Sequence, residues 1–142
     1  MSLAPTKILR VQSSRLWFYA VLALSKDLPL PQRLTYLELL EVHLDQLLSP
    51  ATSSKVWRTI RDNIEYVVSF MRDKGYDIEA PKPSKPLEEG LAEQEELDYI
   101  VKWFRKEFKR KDGEPVTTYV NRVSLLAVRL LAIFNIITAD LF

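Results

Sequence analysis

The chain of 142 residues has no cysteine, which removes disulfide frameworks, thiol nucleophiles and thiolate metal ligands from consideration and fits an expected cytoplasmic location. Its only histidine, His43, stands among leucines beside Glu41 and Asp45, with Leu40 three positions before it. The Glu-x-x-His pairs that build metal sites in helical bundles are therefore missing, and His43 reads as a packed or rim residue. Three glycines, at 75, 90 and 113, are too scattered for a loop that cradles phosphate. Ser13-Ser14 and Ser53-Ser54 have no base near them in sequence, and the acids of the second helix fall on an expected outer face without an acid/base partner. No catalytic residue, metal ligand or cofactor is assigned, and the protein is expected not to be an enzyme. Twenty Lys and Arg against nineteen Asp and Glu give a net charge of +1, so no global field draws nucleic acid or an anionic membrane.

Strand patterning is absent too, because no stretch alternates apolar and polar residues with period two. What remains is helical period cut by proline and glycine. A first helix is expected from just after Pro5, with Thr6 as its cap, to about Ser25. Leu28-Pro29-Leu30-Pro31 ends it, and Pro31 suits the first turn of a second helix that turns Leu34, Leu37, Leu40, Leu44 and Leu47 or Leu48 inward and Glu38, Glu41 and Asp45 outward. Ser49-Pro50 opens a third helix with the clearest stripe in the chain: Val56, Trp57, Ile60, Ile64, Val67, Val68 and Met71. Lys74-Gly75 closes it. The short connections predict that helices one to three are antiparallel neighbours. Residues 76–86 carry Pro81, Pro83 and Pro86 and read as an extended linker. A fourth helix is expected from Leu87 to Lys111, stopped by Asp112-Gly113-Glu114-Pro115. The expectation is a single all-α domain over 1–142, an antiparallel bundle of about five helices, with a three-helix unit at 1–75 and a two-helix hairpin at 87–142.

The fifth helix, from Val116 to the chain end, is the element the others must bury. Between Val123 and Ala139 its only charge is Arg129. Val123, Leu126, Leu130, Phe134, Ile137 and Leu141 share one face, while Arg122, Arg129 and Asp140 line another that Leu125, Ile133 and Ile136 interrupt. A central bundle helix is the plain reading. A helix partly exposed for assembly is the sharper one, with Arg129, Ile133, Ile136, Leu141 and Phe142 at the interface. Membrane contact comes third, since the run from Leu130 to Ala139 is far short of the ~20 apolar residues of a bilayer span.

The fourth helix has acids in its first half and Lys102, Arg105, Lys106, Lys109, Arg110 and Lys111 in its second. That order matches the helix dipole, with Asp98 and Lys102 spaced as an i, i+4 pair. The same bases interleaved with Trp103, at the edge of the core face, could hold a nucleic-acid backbone and stack a base. In the first helix Trp17, Phe18 and Tyr19 point in three directions about 100° apart, so at least one lies at a margin, and Trp17 and Tyr19 are candidate interface anchors. The run SSRLWFYAVLALSKDL (residues 13–28) resembles a helix of peroxisomal membrane-elongation proteins over about a tenth of the chain; no property is carried over from it. The Trp17 to Leu24 run lacks a following small-residue cleavage pattern, so no secretory leader is expected. The function expected is assembly with copies of itself or a protein partner through the C-terminal helix. A nucleic-acid-associated helical subunit is the alternative, and a peripheral membrane protein the second alternative.

Overall fold

In a computed structural model, the backbone is described for residues 5–47, 54–82 and 93–140, and side chains for 15–44, 58–82 and 98–133. The described backbone forms α1 (Pro5–Leu24), α2 (Leu30–Leu47), α3 (Ser54–Asp73), α4 (Glu93–Glu107) and α5 (Val116–Asp140), with no strand among the described residues. The architecture is an all-α bundle. α1 already includes Pro5, so Thr6 lies inside the helix and is not its cap. The expected starts of helices three and four, at 49–50 and 87, and Leu48 lie outside the described backbone, and the side chains of Leu47, Val56 and Trp57 lie outside the described side chains.

Proline chemistry makes the first corner. The Pro29 carbonyl accepts from the backbone N–H groups of Gln32 (3.0 Å) and Arg33 (3.1 Å), so Pro29 opens α2 and Pro31 occupies its first turn, where a missing N–H costs nothing. At the far end of α3, Gly75 takes φ 89°. Its N–H donates to the Arg72 carbonyl (2.9 Å) and that of Tyr76 to the Met71 carbonyl (3.1 Å), the paired closure of a Schellman motif. α4 ends four residues earlier than its charge pattern predicts. The Phe108 N–H still bonds the Phe104 carbonyl, but the Lys109 N–H tightens onto Lys106, and Lys109, Arg110 and Lys111 belong to the turn before α5.

The connection after α3 is no free linker in its described part. Over residues 76–82 it runs as a strap with Ile78 fully buried. Arg72 Nε donates to the Ile78 carbonyl (3.0 Å), Lys111 Nζ to the Asp77 carbonyl, and the Trp103 indole N–H to the Glu79 carbonyl (2.5 Å).

α5 lies at the centre of the packing. It packs against α1, α2 and α3; α1 packs against α2, and α4 against α3. The expected neighbours α1 and α2 pair, whereas α3 turns its stripe of Ile60, Ile64, Val67, Val68 and Met71 to α5 and α4 in place of α2. From Tyr119 to Ile133 no residue of α5 is exposed. Residues Val116–Ile133 are long and apolar enough to cross a membrane by length and composition, and here Val120, Val123, Leu126, Ala127, Leu130 and Leu131 are buried against other helices. Ile133, expected at an interface, is buried in this core at 9 % exposure. The helix is ringed by partners on more sides than a two-faced pattern implies.

Candidate interaction surface

Two arginines carry the buried polar framework. Arg122 is 1 % exposed, not on a wet face as its place beside Arg129 and Asp140 suggests. Its Nε donates to Glu114 Oε2 (2.8 Å), and Nη2 to Glu114 Oε1 (3.0 Å) and the Lys109 carbonyl (2.8 Å). Nη1 donates to the Glu107 carbonyl and to Glu107 Oε2 (3.5 Å), so all five N–H groups are occupied. Arg122 thus takes the carbonyls that the end of α4 leaves open, and α4 stops there. Buried Arg33 of α2 does the same for α1, with Nε on the Ala23 carbonyl (2.8 Å) and Nη2 on Asn121 Oδ1 of α5.

Titration shifts gather around this framework. Burial alone would raise the Glu114 carboxyl, but the Arg122 hydrogen bond, the Lys111 backbone N–H and the charges of Arg122 and Lys111 hold it below the usual range. Glu41, expected on an outer face, is half-buried and accepts from the Tyr119 hydroxyl at 2.9 Å. Burial pushes the Glu41 carboxyl up, against the lowering effect of that bond, and burial beside Glu41 pushes the Tyr119 phenol up as well. These groups are occupied in holding helices together. Among the described residues no three His, Asp or Glu side chains gather as a metal site. His43 stacks on Tyr19, centroids 5.8 Å apart, as a rim residue.

The basic residues of α4 and the turn after it are largely engaged inside the molecule. Lys102 pairs with Asp98 (3.0 Å), Lys106 with Glu79 (3.6 Å), and Arg110 Nε donates to the Glu114 carbonyl (2.7 Å). Arg105 has a partner as well, and Lys109 is exposed in the turn. Trp103 corrects the expectation most directly. At 6 % exposure, with its indole N–H held by the strap, it has no free face on which a base could stack.

The interface candidates divide. Trp17 and Tyr19 are half-buried and pack on the core, and the aromatic left at the margin is Phe18, 58 % exposed. Arg129 is half-buried with its guanidinium over Phe70, and Ile133 is core. Ile136 lies in the α5 backbone with its side chain outside the described residues, as are Leu141 and Phe142.

A surface that no single motif announces lies on the outer side of the α1–α2 pair. Phe18 and Val21, one turn apart on α1, and Leu39 and Val42, one turn apart on α2, are all exposed. Beside them, the Phe18 ring lies 6.3 Å from Tyr19, which stacks across the α1–α2 seam on Tyr36 (6.3 Å) and His43 (5.8 Å). The sequence signal was present in the run Leu16 to Leu24, which has no charged residue and more apolar directions than one core can take.

Comparison with protein-family models, curated proteins and solved structures finds no match.

Proposed function

We propose that this is a non-enzymatic helical interaction protein that assembles with a second copy of itself, and that the assembling face is the outer side of the α1–α2 pair. The observation that carries the reading is the exposure of Phe18 and Val21 on α1 and of Leu39 and Val42 on α2, which packs against it. The described part of α5 is covered by its own chain, so it offers less to a partner than its sequence suggests.

Size and charge favour a second copy. The four side chains expose on the order of 300 Å² of apolar surface, well under the ~800 Å² per partner of a standard stable complex. With a polar rim, this suits a concentration-dependent pair. Under two-fold symmetry the same patch meets itself, and a border with both signs of charge can then pair with its own copy. Exposed Arg15, one turn before Phe18, and exposed Glu38, one turn before Val42, supply them. Sedimentation velocity across a broad concentration range tests the proposal. The parent chain is expected to shift from monomer to dimer, and Phe18→Ser with Val42→Ser to stay monomeric with unchanged helicity and melting. A parent that remains monomeric at millimolar concentration, or a double variant that dimerises equally, overturns it.

A further inference from the structure

Among the described residues Arg33, Arg61, Arg122 and Arg129 are drawn at least partly into the bundle, and their donors have different fates; Arg61 bonds its neighbour Asp62. Arg122 and Arg33 spend theirs on carboxylates, an amide and helix-end carbonyls. Arg129 does not. Its guanidinium carbon lies 3.6 Å from the centroid of Phe70 on α3, and that ring is its only partner among the described residues. A cation over an aromatic face is stabilised by the ring quadrupole, which acts on the plane of the guanidinium and leaves its N–H edge unused. No buried side-chain nitrogen among the described residues lacks a hydrogen-bond partner, so the unbonded donors of Arg129 reach the surface.

The surroundings define what that edge can take. Lys74 Nζ stands 5.5 Å from the same ring, just past the last residue of α3, where a cation offsets the carbonyl end of the helix. Arg129 sits mid-helix on α5 with no carbonyl end to offset and no ion pair among the described residues. On α3, Tyr66, one turn before Phe70, is 60 % exposed, and Asp73, one turn after it, is exposed as well. A flat guanidinium held over a ring, with open N–H donors, is suited to a two-oxygen, singly charged acceptor.

We propose that the Arg129–Phe70 seam between α3 and α5 binds a side-chain carboxylate of an acidic polypeptide segment, with Arg129 as the bidentate donor and Phe70 as the platform that orients it. The site is separate from the α1–α2 face and stands whether or not the chain dimerises.

The test is a titration of the full chain with poly-L-glutamate at low salt, following the Arg129 Nε–Hε resonance by nuclear magnetic resonance, with inorganic phosphate in a parallel arm. A saturable shift of that resonance with poly-L-glutamate is expected. Arg129→Gln should abolish the binding, and Arg129→Lys, which keeps the charge but loses the fork, should weaken it about tenfold. Phe70→Leu should weaken it while Arg129 remains charged. An unmoved Arg129 resonance in the parent overturns the proposal without recourse to any variant. So does full affinity in Arg129→Lys, which would make the site a point charge, or a shift with phosphate and none with poly-L-glutamate, which would make it a phosphate site.

Discussion

Glu41 shows how a single residue's role turns on what faces it. Its carboxylate accepts from Tyr119 yet is raised by burial, so the folded state holds its proton to higher pH than the unfolded chain does. For a raised carboxyl, the folded state is favoured while both states are protonated, and stability is lost as pH climbs from the unfolded value through the folded one. Above that window the ionised carboxylate is a standing cost. Glu41→Gln keeps an oxygen for the Tyr119 hydroxyl and removes the charge. We expect it to raise stability at pH 7, by less than about 1 kcal/mol because Glu41 keeps some contact with water. The gain should vanish below the ordinary carboxylate range, where Glu41 is neutral in both states. Thermal melts of the two proteins from pH 3 to 8 give the comparison, and a Glu41→Gln protein less stable at pH 7 would mean that the charged hydrogen bond outweighs the burial. Glu114 behaves with the opposite sign: its lowered carboxyl contributes stability above the unfolded value, and that contribution is lost as pH falls through the folded one.

Helix ends are the scale at which sequence and structure agree best and also part most clearly. The end of α3 was legible at Lys74-Gly75, because a glycine after a periodic stripe is where a left-handed residue costs least. The space around Gly75 is open, with nothing within 4 Å of where a Cβ would stand, so Gly75→Ala should cost only the backbone penalty of φ 89°, about 1–2 kcal/mol. Gly75→Asn should cost less than the alanine variant. Urea unfolding of the three proteins would rank them, and an unchanged midpoint in Gly75→Ala would mean that the Schellman closure adds little. The end of α4 was not legible in the same way. Its charges run on to Lys111 as if the helix did, but the carbonyls of Glu107 and Lys109 are taken by Arg122 from α5, fifteen and thirteen residues away. Local periodicity carries no information about a donor supplied by another helix.

At the scale of the whole molecule, α5 is the hub, and that changes the expected fate of Ile133. A pattern of apolar residues along a partly charged line suggested a docking face, so that polar replacement there would release folded monomers. In the bundle Ile133 joins the core with Leu130 and Leu131. Replacing it with serine removes a buried side chain and inserts a hydroxyl among apolar neighbours, so Ile133→Ser should destabilise the fold by about 3–4 kcal/mol. Chemical denaturation would show a large fall in midpoint for Ile133→Ser and none for a polar replacement at exposed Val42. Equal, small effects at the two sites would put Ile133 back on a surface.

The all-α class, the proline corner before α2, the core stripe of α3 and the turn before α5 were determined by the sequence alone. Each rests on spacing within one segment or on the backbone limits of proline and glycine. Tertiary structure alone decided which apolar faces are covered: Ile133 and Trp103 went inside, while Phe18, Val21, Leu39 and Val42 stayed outside. It also decided which charges are interior, sending Arg122 and Glu107 to full burial and leaving Arg129 on Phe70 with open donors. The physical reason is common to both. Apolar pattern records that a side chain gains by leaving water, and charge records what it needs once it has left, but only the neighbour that arrives in space determines whether either is satisfied.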